Sequence, residues 1–315
     1  MNRIAVILCL CASAVLTACG AGPQETREFP SVAVPGVYTH ESDILEYKLA
    51  HYWDAFLDTE QCYQCDSVTV NGVSEVSLSK AAVTYSQLLL STGLENAQEA
   101  LLGLLRGLEA FQTAYPGANV FEKVTELMAS LEYDANSPLR DEDIYGPFAG
   151  AMSVSPFCPA SRRASYADES VRCVLNRRGT QAADFEFYDV KGHSHTLYGT
   201  KAEWTVLNFI NPGCNACEEV VSAFGTPAYT ELIKEGRMCV LGIYIDEEMD
   251  KWFEESSHLP QSWLCGYDPC RAIRDEGIYD VRAIPSVYLL DRDKKVIMKD
   301  APLDRVLGYI QTYVL

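Results

Sequence analysis

Residues 204–217 read Trp204-Thr205-Val206-Leu207-Asn208-Phe209-Ile210-Asn211-Pro212-Gly213-Cys214-Asn215-Ala216-Cys217. Trp204 to Ile210 is a mostly apolar run of the length expected for a strand buried on both faces. Asn211-Pro212-Gly213 interrupts it as a turn, and a helical pattern begins at Cys214. A cysteine at the start of a helix meets unpaired backbone N–H groups and the positive end of the helix dipole, both of which favour thiolate over thiol. Two intervening residues let a second sulfur reach the first, so a mixed disulfide formed at Cys214 can be resolved by Cys217 of the same chain. The pair points to thiol–disulfide exchange, with Cys214 and Cys217 as its catalytic residues.

Working outward, Asp184 to Asp189 alternates as a strand and Lys191-Gly192 supplies a turn. Met238 to Ile245 is a second buried strand. Ser286 to Leu290 and Lys295 to Met298 form a hairpin across Asp291 to Lys294, and Leu303 to Tyr313 reads as a closing helix. Ala283-Ile284-Pro285-Ser286 stands immediately before the hairpin. This order predicts an α/β domain over residues 176–315, a central mixed sheet flanked by helices. Residues 156–175 read as a linker helix.

Further upstream the periodicity is helical. Leu45, Leu49, Tyr52, Trp53 and Phe56 recur at spacings of three and four from Glu41 onward, predicting one helix face. Helices are expected at Leu78 to Leu90, Leu94 to Phe111, Val120 to Tyr133 and Asp141 to Met152. Together they predict a small all-α domain over residues 37–155, in which the aromatic stripe is core rather than a binding face.

The chain opens with Asn2-Arg3, an apolar stretch Ile4 to Leu16, then Thr17-Ala18-Cys19, the layout of a secretory signal over residues 1–18. Small residues ahead of a cysteine are similar to the lipobox of bacterial lipoproteins, making Cys19 the expected lipidation site and residues 19–36, with three prolines, a tether. The expected location is the cell envelope, lipid-anchored and facing the periplasm. The net charge of −19 argues against nucleic acid and against charge-driven binding to anionic headgroups.

Twelve cysteines are present; Cys9, Cys11 and Cys19 fall in the signal and anchor. The remainder suit an oxidising compartment. Besides Cys214/Cys217, the candidate structural disulfides are Cys62–Cys65, Cys265–Cys270 and Cys158–Cys173, with Cys239 a buried free thiol. No metal or other cofactor is expected: a zinc site from Cys62, Cys65, Cys214 and Cys217 would join pairs a domain apart, and His193-Ser194-His195 reads as a solvated hairpin.

The segments Gly179 to Phe185, Gly192, Leu197-Tyr198, Val206 to Phe209, Cys214 to Cys217 and Ile284-Pro285-Ser286 resemble the TlpA/ResA-like branch of the thioredoxin superfamily. The resemblance implies a thioredoxin-like fold, a cis Pro285 packed beside the active sulfurs, and Ile284 as the edge on which an extended substrate docks. The expected partners are protein thiols or disulfides of the envelope and a redox partner that recycles the pair. His51 to Phe56 and Ser137-Pro138-Leu139-Arg140 look like an uncharacterised helical domain found upstream of such domains in bacterial lipoproteins. Two residues depart from thioredoxin: Asn208 replaces a buried aspartate that assists proton transfer, and Gly213 replaces an aromatic. Asn211 replaces the threonine or serine a peroxiredoxin needs. The competing expectation is a non-catalytic interaction scaffold in which Cys214–Cys217 is a structural clip.

Overall fold

The computed structural model describes residues 26–211 and 213–315. The expected signal, Cys19 and the tether up to residue 25 lie outside the described residues.

The N-terminal part is helical: α1 (Glu41–Ala50), a small hairpin of β1 (Thr69–Val70) and β2 (Val73–Ser74), then α2 (Glu75–Leu90), α3 (Leu94–Ala114), α4 (Val120–Glu132), α5 (Glu142–Val154) and α6 (Ala160–Cys173). The first helix is shorter than the spacing of its apolar residues predicts. It ends at His51, whose ring bonds the Asp54 carboxylate at 2.7 Å, so Tyr52 to Phe56 continue as turns. Trp53 and Phe56 are nonetheless buried, with Phe29 edge-on to Trp53 at 5.2 Å and stacked on Phe56. The stripe is core, as expected. Ser74 and Asp141 cap α2 and α5 by accepting from the N–H of Ser77 and Ile144. Pro147 inside α5 cannot bond the Asp143 carbonyl four residues back; the Gln98 side chain donates to it instead at 2.7 Å.

The C-terminal part begins with β3 (Glu186–Asp189) and β4 (Ser194–Thr196), followed by β5 (Trp204–Ile210), α7 (Asn215–Phe224), α8 (Pro227–Lys234), β6 (Met238–Tyr244), α9 (Met249–Glu255), β7 (Leu264–Tyr267), α10 (Ala272–Asp275), β8 (Ser286–Leu290), β9 (Val296–Met298) and α11 (Leu303–Tyr313). The strands form one mixed sheet in the order β4-β3-β7-β6-β5-β8-β9. β5, β6 and β7 run parallel, and β8 is antiparallel to β5. Alternate residues of β5 feed two cores: Val206 joins Val220 and Phe224 of α7 and Val306 and Ile310 of α11 on one face, while Leu207 and Phe209 join Phe185, Tyr279 and Tyr288 on the other. This is the predicted central mixed sheet flanked by helices.

Residues 156–175, expected as a linker helix, contain α6, whose Tyr166 and Cys173 are buried in the helical domain's own core. The two domains meet through charge. Asp141 pairs with Arg178 at 2.8 Å and Arg305 at 3.0 Å, Asp143 with Arg178 at 2.9 Å, and Glu142 with Lys299 at 2.5 Å and Arg282 at 2.6 Å.

Candidate active site

Cys214 is the N-cap of α7, in extended backbone conformation, at the carboxyl end of the central strand β5. The carbonyl of Cys214 accepts from the N–H of Cys217 at 3.0 Å and of Glu218 at 3.1 Å, so the helix starts at Cys214, as the sequence predicts. Gly213 has φ of +76°. Glycine adopts that left-handed turn freely, whereas a residue with a side chain would be strained in it.

The two sulfurs occupy unlike surroundings. Cys214 is half-buried and Cys217 buried. Burial pushes the Cys217 thiol up to about 12; the Asn211 backbone N–H opposes that shift, and the adjacent Cys214 adds to it. The Cys214 thiol faces the Ile284 carbonyl oxygen at 3.9 Å, and the Ile284–Pro285 bond is cis. The structure therefore brings together four residues the sequence singled out: Cys214, Cys217, Ile284 and Pro285. Beside them lies a cavity of about 200 Å³, bounded by Gly213, Cys214, Glu218 and Val221 on one side and by His258 and Leu259 on the other.

Asn208 stands beneath α7, on the Val206 face of β5, fully buried and without a hydrogen-bond partner for either amide atom. Nothing at this position can take a proton from Cys217. Besides Glu218, which follows Cys217 and adds to the upward shift of its thiol, an acid reaches the turn before the motif: Asp246 accepts from Asn211 Nδ2 at 2.8 Å and pairs with Arg274. Sequence reasoning missed Asp246. Its signal was its place just past β6, since a parallel neighbour in register with β5 (Ile210 opposite Tyr244) delivers its end to the same edge of the sheet. His258 carried no such signal.

The remaining cysteines are apart from this site. Cys62 and Cys65 come together in the helical domain, both donating to the Tyr63 carbonyl, at 3.4 and 3.7 Å. Cys265 is buried in β7, under Gly242 of β6, while Cys270 is exposed in the following turn; one faces core and the other solvent. Cys173 packs under Gly146, whereas the Cys158 thiol bonds the Pro159 carbonyl at 3.7 Å. Cys239, expected to be buried, is partly exposed. His193 and His195 both contact Asp189 Oδ2, at 3.1 and 3.2 Å. Burial works against the Asp189 charge, but hydrogen bonds from the His193 backbone N–H and the two rings hold its carboxyl well below the usual range. Among the described residues no group of three or more His, Cys, Asp or Glu is placed to hold a metal ion, and no helix is long and apolar enough to cross a membrane.

Residues 178–299 match the AhpC/TSA family, and residues 13–169 match a domain of unknown function, DUF5106. A crystal structure of a thioredoxin-like protein from Bacteroides caccae is 30% identical, with 91% of this chain and 99% of that one covered and a TM-score of 0.77. The C-terminal domain of an uncharacterized protein from Bacteroides fragilis is 39% identical over 44% of this chain and 99% of its own, with a TM-score of 0.42. The thioredoxin domain of a thiol-disulfide oxidoreductase from Bacteroides vulgatus is 18% identical over 44% and 99%, with a TM-score of 0.38. No curated protein matches the chain.

Proposed function

We propose that this chain, which belongs to the thioredoxin-like proteins, is a thiol–disulfide oxidoreductase of the cell envelope, held there by a lipid on Cys19 and of the TlpA/ResA-like kind. The observation that carries the reading is the asymmetry of the pair: one sulfur half-exposed at a helix N-terminus and facing a free backbone edge, the other buried one turn deeper.

The exchange follows from that geometry. In the reducing direction the Cys214 thiolate attacks one sulfur of a substrate disulfide; that S–S bond breaks, and the departing substrate sulfur takes up a proton. The mixed disulfide is resolved when Cys217 gives up its proton and attacks Cys214 Sγ, releasing the second substrate thiol. Two electrons pass to the substrate, leaving Cys214–Cys217 oxidised, and a thiol partner returns them; the oxidising direction is the same sequence reversed. Ile284 offers a main-chain edge for an extended substrate segment next to the attacked sulfur. A thiol held near 12 stays protonated until the mixed disulfide forms, so Cys217 does not compete for substrate.

The test is trapping. Cys217→Ser removes the resolving thiol and should accumulate mixed disulfides with envelope proteins on non-reducing gels, whereas Cys214→Ser should show few and lose dithiol-dependent turnover. Equal adducts from both variants, or none together with an inert disulfide in the parent, would favour the scaffold reading.

A further inference from the structure

The helical domain carries the motif Ser137-Pro138-Leu139-Arg140 and, directly after it, Asp141-Glu142-Asp143, none of which the exchange chemistry uses. The structure places this stretch against the segment that presents Ile284 to Cys214. Arg282, two residues before Ile284, donates to Glu142 Oε1 at 2.6 Å and to the Tyr133 carbonyl, and its guanidinium lies 4.1 Å from the centre of the Tyr133 ring. All three contacts are to the helical domain. Arg282 also donates to Asp300 Oδ2 at 3.0 Å. The other oxygen of that carboxylate accepts from Ser286 Oγ at 2.7 Å, and the Asp300 carbonyl accepts from Arg140 Nε at 2.9 Å. Asp300 is thus bonded to residues on both sides of Ile284-Pro285 and to the helical domain. It is buried and has φ of +39°, a conformation that a residue other than glycine keeps only where its surroundings hold it.

We infer that the helical domain acts as a positioning element for substrate docking: Glu142, Tyr133 and Arg140, through Arg282 and Asp300, pin the 282–286 segment so that the Ile284 edge is set against Cys214. The inference rests on the exchange reading above and assigns the helical domain a part in it. Charges buried this deeply are poor stabilisers, because their desolvation consumes most of the Coulombic gain and apolar replacements are often as stable. What such a network supplies is a defined geometry, and here the geometry belongs to the backbone edge that faces Cys214 Sγ. Arg282, Glu142 and Asp300 are positioning residues, since none of them touches the sulfurs.

A docking role and a merely cohesive role separate by substrate. An extended disulfide-bonded peptide uses the Ile284 edge; a small disulfide such as oxidised dithiothreitol or glutathione needs only the sulfurs. In the full chain, Arg282→Met and the isosteric Glu142→Gln should raise KM for the peptide about tenfold, the worth of one or two docking hydrogen bonds. Its kcat, the small-disulfide rate and the near-UV circular dichroism should stay within about twofold. Arg178→Met, which removes interface ion pairs to Asp141 and Asp143 without touching the 282–286 segment, should leave both substrates unchanged. If Arg282→Met does not fold, Glu142→Gln carries the test. Parallel loss on both substrates, no change on either, or the same split in Arg178→Met would overturn the positioning role. A parent inactive towards both substrates would overturn the exchange reading itself, and this one with it.

Discussion

In Cys214→Ser, Cys217 remains alone in its pocket, and its reactivity reports what burial does to a resolving thiol. The parent thiol sits at about 12, with burial the largest cause and Cys214 a smaller one; the variant keeps the larger cause. At pH 8 about a quarter of an ordinary thiol of pKa about 8.5 is ionised, against about one part in ten thousand at 12. The thiolate fraction therefore falls by about two-thousandfold. Intrinsic nucleophilicity recovers part of this, because a Brønsted slope of about 0.4–0.5 over about 3.5 units makes each thiolate about thirtyfold more reactive. Because Cys214→Ser removes the smaller, Cys214-borne part of the shift, about fiftyfold to a hundredfold is an upper limit. Alkylation of Cys217 by iodoacetamide at pH 8 should be slower, by up to that factor, than alkylation of the cysteine in a short unstructured peptide of pKa about 8.5, and its rate should still be rising at pH 9. Peptide-resolved mass spectrometry from pH 6 to 11 measures both. A plateau below pH 9, or parity with the free thiol, would refute the claim that the fold holds the second sulfur back.

Two further outcomes follow from other parts of the molecule. Glu132 ends α4, fully buried and with no hydrogen bond to either carboxylate oxygen; burial pushes its carboxyl up to about 8, Asp141 adding to the shift while Ser86 and Arg305 oppose it. Its folded value is raised above the unfolded value of about 4.3, so folding takes up a proton between the two. Stability from this group is fully present below about pH 4.3 and lost as pH rises through 8, by about 1.4 kcal/mol per unit and about 5 kcal/mol in all. Glu132→Gln should match the parent in urea unfolding near pH 4 and exceed it by about 5 kcal/mol at pH 8; a constant difference at both pH values would sink the idea. Separately, Cys19→Ser should move the protein from the membrane fraction to the soluble one, and persistence in membranes after a high-salt wash would count against lipid anchoring through this residue.

Most of the frame around the reactive pair was legible in the sequence, because its signals are local. The boundaries of β5 and α11 follow from apolar runs and helical spacing, and α7 begins at the cysteine because a turn precedes it. The burial of Trp53 and Phe56 was likewise readable, although the helix that was to carry them stops at Ala50: spacing reports a shared face, whereas the His51–Asp54 contact decides where the chain bends. β7 was invisible. Leu264-Cys265-Gly266-Tyr267 is short, and its glycine weakens any strand signal. Gly266 is there because a Cβ would lie 2.5 Å from the Tyr188 carbonyl of β3, a constraint that exists only once the sheet is assembled.

The sequence by itself singled out the Cys214/Cys217 pair, its place at a helix start after a buried strand, the Ile284-Pro285 element and the change from helical to α/β patterning, since each rests on local signals. Only the tertiary structure decided that Ile284 faces Cys214, that Asp246 reaches the turn before it through Asn211, and that Glu142 and Arg140 of the helical domain bond Arg282 and Asp300 beside Ile284. Those contacts join residues far apart in the chain, 70 positions for Cys214 and Ile284 and 140 for Glu142 and Arg282. A carboxylate and a guanidinium so separated leave no periodicity to read; until folding closes the loop between them, each is an ordinary charged residue.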